Sequence, residues 1–456
     1  MAGIGFELRR LLKRESLLGM IQAYGYAGVI GSGPWVLSII GILIIGILSY
    51  AVVVPDVRIV QFQVTVTYII ALSLILTGVF QMSFTRFSAD RLFEHKKEII
   101  LTNFHAVSLA VTVLAGLTGV GAIVFLFPEQ SLLFRVMAVA GFVIMSNIWI
   151  ATIFLSGMKH YREIVWLYFV GYSFTVIAAL SLRALGLEGL LIGFVIGHAA
   201  LLLGMMTLIM RNYSAERFIS FEFFDRRMIY PSLMAIGLFY NLGVWVDKFM
   251  FWYVPETSQA VIGPFRASLI YDLPVFLAYL SIIPGMAIFL VRLETDFVEY
   301  YDAFYDAVRS GGSLETIEEY RNGMVETVKL GIYEIVKIQT IVVLLIIVGG
   351  HAILDWLGIS TLYLSLLYID VIAAGLQVVF LGILNVFFYL DKRRVVLFLT
   401  AAFVVLNFVL TAISLKLGPA YYGYGFALAL LIVAMVGAWR LSRTLAQLEY
   451  ETFMMQ

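Results

Sequence analysis

The sequence predicts an all-α integral membrane protein with about twelve transmembrane helices in two six-helix lobes. Of its 456 residues, 62% are hydrophobic and 13% are charged, whereas a soluble domain has roughly 45–50% apolar and 25% charged residues. The mean hydropathy is +0.98. This apolar excess is too large for the core of a soluble globule, so we expect much of it to face lipid.

Twelve apolar stretches are each long enough to cross a bilayer, which takes about 20 helical residues. Backbone polar groups cannot stay unpaired in lipid, and the stretches lack the alternation of membrane β-strands, so each is predicted to be a helix. The predicted spans are 29–53, 64–85, 100–126, 132–156, 164–183, 188–210, 229–253, 268–291, 331–350, 362–389, 395–415 and 422–441.

Most of the 30 Lys and Arg residues fall on one side of these predicted spans. The opposite side holds only Arg58, Arg135, Arg183, Arg266 and Lys416. Because short cytoplasmic loops carry an excess of Lys and Arg, this bias predicts that both termini are cytoplasmic. A multi-pass membrane protein with both ends on the cytoplasmic side is therefore expected.

Charge and residue types limit the possible function classes. Acidic and basic residues are equal in number, at 30 each, and this balance argues against nucleic-acid binding, which needs a basic surface. The chain has no cysteine, which excludes thiol catalysis and cysteine metal sites. Neither a Walker motif nor a nucleophile elbow is present, so the sequence predicts no metal, no cofactor and no enzyme.

The spans divide into two groups of six, a layout typical of transporters built from two repeats. An N-terminal segment with four basic residues among helically spaced apolar ones is predicted to be an amphipathic helix. The predicted segments are an amphipathic cytoplasmic or interfacial helix (1–20), a first lobe (21–210), a cytoplasmic linker (211–228), a second lobe (229–445) and a cytoplasmic tail (446–456).

The second lobe carries a long hydrophilic insert, 292–330, in which the stretch from Glu294 to Glu326 holds nine acidic residues and only two basic ones, Arg309 and Arg321. It is predicted to form two short amphipathic helices separated by Gly311–Gly312. An anionic leaflet attracts basic segments, so this acidic surface is predicted to dock a cytosolic partner. Alternatively, its aromatic residues rest on the bilayer interface. The candidate docking residues are Tyr301, Tyr305, Glu315, Glu318 and Glu319.

Few charged residues lie within the predicted spans, and each costs about 2.5–3.5 kcal/mol at mid-bilayer. Asp247 and Lys248 are in span 7, Asp272 is in span 8 and Asp370 is in span 10. Such residues are expected to face a bundle interior or a transport path. Since Asp247 and Lys248 are adjacent, they are not expected to pair well with each other, and one should reach Asp272 or Arg266. A purely structural interhelical ion pair is the alternative.

Glycine and proline mark two candidate hinges. Span 1 contains Gly31, Gly33 and Pro34, and span 8 contains Pro274 and Pro284. Proline removes a helical hydrogen bond and kinks the helix, so these spans are expected to bend during alternating access. A static kink is the alternative, because Gly and Pro are common in membrane helices.

Three stretches of the sequence resemble those of a known family. They are MAGIGFELRRLL (Met1–Leu12), YNLGVWVDKFMFW (Tyr240–Trp252) and YDLPVFLAYLSIIPGMAIFLVRLETDF (Tyr271–Phe297). With the length and layout, they resemble the Pel exopolysaccharide transport membrane proteins of bacteria. That family is similar in turn to the multidrug/oligosaccharidyl-lipid/polysaccharide exporter (MOP) superfamily.

The resemblance implies export of an amino-sugar polysaccharide across the inner membrane during biofilm formation. It also implies partners, namely membrane lipid, a cytosolic glycosyltransferase and membrane subunits that respond to cyclic di-GMP. It implies no catalytic residues. Two other functions stay open at this point: a cation-coupled exporter of small molecules, with Asp370 or Asp272 as the protonatable group, and a membrane transferase that acts on lipid-linked sugars.

Overall fold

The structure, a computed structural model, describes residues 17–50, 52–158, 160–215, 217–357 and 359–454. Within these ranges, eleven helices are long and apolar enough to cross a membrane. A broken helix, Gln22–Gly33 with Val36–Ser49, makes a twelfth when its halves count as one span. The predicted all-α membrane fold is therefore confirmed. Residues 1–16 of the predicted amphipathic helix, and the last two of the predicted tail, lie outside the described residues.

The helices occupy the apolar stretches of the sequence, and several extend beyond them. They are α1 (Leu17–Ser49), α2 (Val57–Phe93), α3 (Lys97–Leu126), α4 (Leu132–Gly157), α5 (Tyr161–Leu182), α6 (Leu187–Asn212), α7 (Pro231–Tyr253), α8 (Leu269–Leu280), α9 (Ile283–Val291), α10 (Phe297–Ser310), α11 (Leu314–Trp356), α12 (Leu364–Tyr389), α13 (Arg393–Leu417), α14 (Tyr424–Ala446) and α15 (Leu448–Met454). Exposed apolar side chains, such as Leu345 and Val348 of α11, are those expected to face lipid.

Two compact units divide the chain. The N unit comprises residues 33–245 and 251–268, and the C unit comprises the described part of 1–32 together with 246–250 and 269–456. Helix α7 thus contributes residues to both units.

The N unit contains a short antiparallel hairpin that the sequence analysis did not predict. Strands β1 (Gln259–Ile262) and β2 (Phe265–Ala267) are joined at Gly263, whose φ is +52°, a conformation that favours glycine. The Tyr68 ring of α2 stacks on Phe265 with centroids 4.0 Å apart, and its hydroxyl donates to the Arg266 carbonyl at 3.0 Å. Through these contacts the hairpin packs against α2.

The core of the N unit is rich in phenylalanine. The Phe84 ring lies 5.5–6.3 Å, centroid to centroid, from the rings of Phe87, Phe104, Phe154 and Phe223, which is the separation at which aromatic pairs are favourable. Phe223 belongs to the segment that the sequence predicts as a linker. Its burial in this core anchors that segment to the N unit.

Helices α2 and α7 cross so closely within the N unit that glycine is required at the crossing. A Cβ atom on Gly237 would lie 2.1 Å from the Gly78 carbonyl oxygen, so a side chain there forces the helices apart. We expect Gly237→Leu to destabilise the protein by about 1–3 kcal/mol or more, as overpacking does, and to lower its abundance and thermal midpoint in detergent.

Gly116→Leu on α3 is the matched control, because a Cβ atom on Gly116 meets no other heavy atom within 4 Å. If both variants lose abundance and thermal midpoint equally, the close crossing of α2 and α7 is not the cause of the destabilisation.

Span 8 is divided rather than simply kinked. The α-helix is interrupted at residues 281–282, between α8 and α9. Pro274 lies inside α8, as predicted for a kinking residue. Pro284 lies in the first turn of α9, where its missing N–H would have had no helical partner in any case. The predicted kink at Pro284 is therefore replaced by a helix start.

The acidic insert does not form two separate short helices. Helix α9 continues through a π-helical turn, Arg292–Asp296, into α10, and the second amphipathic segment is the start of the 43-residue helix α11. The predicted break at Gly311–Gly312 is confirmed, because Gly311 ends α10 with φ +72°. The insert therefore extends two membrane helices, which the hydropathy pattern alone does not show.

Candidate functional site

Three charged side chains are buried together in the C unit, and we call them the charge cluster: Asp247, Lys248 and Asp370. Their exposed fractions are 0%, 5% and 2%. Helix α7 supplies the first two through its five residues that belong to this unit, and α12 supplies Asp370 from its second turn. Buried charges are costly unless they are paired and hydrogen-bonded, so their partners indicate what each can do.

The Asp247 carboxylate is held by three side chains. The Tyr271 hydroxyl donates to Oδ2 at 2.6 Å, and Asn407 Nδ2 donates to Oδ1 at 3.2 Å. Lys248 Nζ lies 3.1 Å from Oδ2. Helices α8 and α13 therefore both attach to α7 through this one carboxylate, and charge-assisted bonds of this kind are the stronger ones in proteins.

The Lys248 ammonium pairs with its own neighbour in sequence, so the expectation that Asp247 and Lys248 would not pair well was wrong. The reason is the flexible four-carbon stem of lysine, which lets Nζ turn back towards Asp247. Nζ also lies 3.4 Å from the Tyr279 hydroxyl and 4.2 Å from the centroid of the Phe426 ring. The ring face adds a cation–π contact to the ion pair.

Asp370 differs from Asp247 in its surroundings. Among the described residues, neither of its carboxylate oxygens has a hydrogen-bond partner, although Lys248 and Asp247 lie within electrostatic range. The backbone of Gly423 comes so close that a Cβ atom there would lie 3.0 Å from Oδ1. Buried polar groups are rarely left unpaired. Such a carboxylate is chemically suited to bind and release a proton or another cation.

Four residues of this site were missed by the sequence analysis: Tyr271, Tyr279, Asn407 and Phe426. A signal existed for Asn407, because it is a lone amide within the apolar predicted span 395–415. The Thr411 hydroxyl, one turn later, donates to Asn407 Oδ1 at 3.0 Å, which orients the amide nitrogen towards Asp247. No comparable signal marked the aromatic residues, since aromatics are frequent throughout the chain.

The other two predicted charges lie in different settings. Arg266 is part of the hairpin, where Nε donates to the Trp252 carbonyl at 3.1 Å and to Ser258 Oγ at 2.9 Å. These bonds replace the pairing with an acidic side chain that the sequence analysis expected. Asp272 lies half-buried in the first turn of α8, where helix N–H groups favour a negative charge.

The candidate hinge in α1 is also a packing surface. A Cβ atom on Gly31 would lie 3.0 Å from Leu290 Cδ1 of α9, so the small residue permits close contact between these helices. Gly33 and Pro34 stand at the break between the two halves of α1. The hinge roles of these residues, of Pro274 and of Pro284 stay predictions.

The candidate docking residues separate into two groups. Tyr301 and Tyr305 are half-buried, with ring centroids 4.7 Å apart, and Tyr301 lies 5.5 Å from Tyr389 of α12. Both rings pack partly within the C unit, and their role in docking stays a prediction. In contrast, the three glutamates at positions 315, 318 and 319 are exposed at the start of α11.

Comparison with solved structures shows which fold this is. A MOP superfamily transporter from Pyrococcus furiosus matches with a TM-score of 0.66 and 15% identity, over 98% of this chain and 97% of that chain. An outward-facing multidrug resistance MATE family transporter of the same superfamily matches with a TM-score of 0.65 and 14% identity, over 93% and 96%. A MATE structure in the bent conformation matches with a TM-score of 0.64 and 15% identity, over 97% of this chain and 98% of that chain. The chain thus has a MATE-like transporter fold.

Sequence comparison assigns the family. No curated protein matches the chain. The family model PelG, described as "Putative exopolysaccharide Exporter (EPS-E)", matches residues 1–453. That match covers nearly the whole chain and agrees with the transporter fold, which excludes the membrane-transferase alternative. The chain belongs to the PelG family of multi-pass membrane transporters.

Proposed function

We propose that this protein exports a Pel-like amino-sugar exopolysaccharide across the bacterial inner membrane, with both termini in the cytoplasm. The observation that carries the proposal is the PelG family match over residues 1–453, which accompanies a MATE-like fold. The polymer would pass by alternating access or by a channel-like path.

We further propose that the charge cluster couples export to cation movement. Asp370 is buried without a hydrogen-bond partner among the described residues, whereas Asp247 is fully paired. Binding of a cation to Asp370 would change the net charge of the cluster in a region of low dielectric, where charge interactions are strong. The same feature favours a second candidate function, a cation-coupled exporter of small molecules.

Complementation of a strain that lacks the gene tests the proposed function. The wild-type chain should restore secreted polymer, measured by lectin binding or amino-sugar content of the medium. In proteoliposomes, the small-molecule alternative predicts cation-driven uptake of a cationic dye such as ethidium. Dye transport without any restoration of secreted polymer would replace the first function by the second.

The proposed exporter would work within a synthesis–export complex. A cytosolic glycosyltransferase would deliver the growing polymer to the cytoplasmic mouth, and cyclic di-GMP-responsive membrane subunits would regulate it. The three exposed glutamates of α11 provide an acidic surface that can steer a basic partner surface and make association sensitive to salt.

Charge reversal tests this docking surface. Glu315→Lys/Glu318→Lys/Glu319→Lys should reduce co-purification of the glycosyltransferase by roughly tenfold or more, equivalent to a loss of about 1.4 kcal/mol or more in binding free energy, because like charges then face each other at the interface. Pull-down from solubilised membranes at low and high salt would measure the loss.

The control is Glu98→Lys/Glu222→Lys, which changes two exposed acidic residues of the N unit. If the triple variant recovers as much glycosyltransferase as wild type at every salt concentration, α11 is not the docking surface.

A further inference from the structure

A groove that the transport proposal does not use lies between α11 and α14 in the C unit. Its volume is about 460 Å³. Apolar side chains line most of its length: Val325, Val328, Ile332, Leu441 and Leu445. A groove of this kind on the outside of a membrane helix bundle fits a hydrocarbon chain.

Basic and hydroxyl groups line the same groove. Arg321 is already engaged, because its Nε donates to Glu449 at 2.8 Å. Lys329 is exposed, and within the described part of the chain its ammonium has neither a hydrogen bond nor an ion pair. Ser442 lies on the opposite wall. An ammonium and a hydroxyl that have no hydrogen-bond partner among the described residues, at the rim of an apolar groove, suit a phosphate group.

The residues around this rim are of the kinds expected at a membrane interface. Tyr333, also in the lining, and Trp439 are both exposed, as expected of interfacial aromatic belts. The Arg443 guanidinium lies 4.2 Å from the centroid of the Trp439 ring. Arg440, next to Trp439 in the sequence, belongs to the same end of α14. This concentration of basic residues is what the positive-inside rule predicts for the cytoplasmic surface.

We propose that the groove binds one anionic phospholipid of the cytoplasmic leaflet. Its phosphate lies between Lys329 and Ser442, and an acyl chain runs along Val328, Ile332 and Leu441. Anionic lipid is the occupant because basic pockets between membrane helices on the cytoplasmic side attract such head groups, whereas a zwitterionic lipid gains no net attraction. The bound lipid joins α11 to α14, and so stabilises the C unit without taking part in transport.

Native mass spectrometry of the purified full-length protein tests the site. The protein is delipidated and then mixed with dioleoyl phosphatidylglycerol or dioleoyl phosphatidylethanolamine. We expect wild type to retain one phosphatidylglycerol preferentially. Lys329→Gln should reduce that preference by about fivefold, the effect of one basic residue near an anionic surface. Ala438→Trp, which fills the groove from α14, should reduce retention of both lipids.

Lys337→Gln is the matched control, because Lys337 is exposed on the same helix but does not line the groove. It should bind lipid as wild type does. Equal phosphatidylglycerol retention by wild type, Lys329→Gln and Ala438→Trp would overturn the proposal. Displacement of the lipid by inorganic phosphate alone would also overturn it, since the groove would then be a phosphate site. Thermal unfolding in detergent verifies that each variant is folded.

Discussion

Asp370→Asn is expected to reduce polymer secretion by roughly tenfold or more, an effect within the range of coupling free energies between linked sites. The abundance of the protein in the membrane should change little. Both expectations follow from the surroundings of Asp370: its carboxylate has no hydrogen bond to lose among the described residues, and an amide removes the cost of burying an unpaired charge. Secreted polymer and immunoblots of isolated membranes measure the two quantities.

Two further variants test whether the carboxylate at residue 370 is itself required. Asp370→Glu keeps an ionisable carboxylate, so it should retain more secretion than Asp370→Asn if cation binding is the role of the residue. Asp355→Asn is the matched control, because the Asp355 side chain is 58% exposed on α11 and pairs only with His351 among the described ion pairs. Wild-type secretion from Asp370→Asn would remove the charge cluster from the transport mechanism.

The positions of the membrane helices were predictable because lipid imposes one requirement on every span: internal hydrogen bonds and an apolar surface. Each predicted span from 64–85 onwards therefore lies largely within described helices. Where a helix continues beyond the bilayer, its surface need not be apolar, so hydropathy does not show where the helix ends. The sequence analysis accordingly divided the polar insert from its spans, whereas α11 continues for 43 residues.

The hairpin and the charge cluster depend on partners that are distant in sequence. Tyr68 and Arg266, which join α2 to the hairpin, are 198 residues apart, and Asn407 and Asp247 are 160 residues apart. Hydropathy identified Asp247, Lys248 and Asp370 as costly residues that need partners, but it could not say which. Of the two missed donors to Asp247, Tyr271 carried no signal in the sequence, and Asn407 carried only that of a lone amide in an apolar span.

Loss of the Lys248 charge should damage the fold itself. Lys248→Met leaves Asp247 and Asp370 buried without their cation, and breaking a buried ion pair costs about 3–5 kcal/mol. A large part of a typical total stability of roughly 5–15 kcal/mol would be lost. We therefore expect this variant to be scarce in membranes and to unfold at a lower temperature in detergent, in contrast to Asp370→Asn.

The double variant Asp247→Asn/Lys248→Met separates the structural role of this pair from its part in transport. It removes both members of the pair, and an asparagine at 247 can still accept through Oδ1 the hydrogen bond that Asn407 donates. Abundance should therefore recover substantially relative to Lys248→Met, because no unpaired charge remains at residue 247. Secretion should stay low, since Asp370 has lost the two charges that lie within its electrostatic range. Normal abundance of the single Lys248→Met variant would contradict the buried ion pair, and full secretion from the double variant would show that the pair only supports the fold.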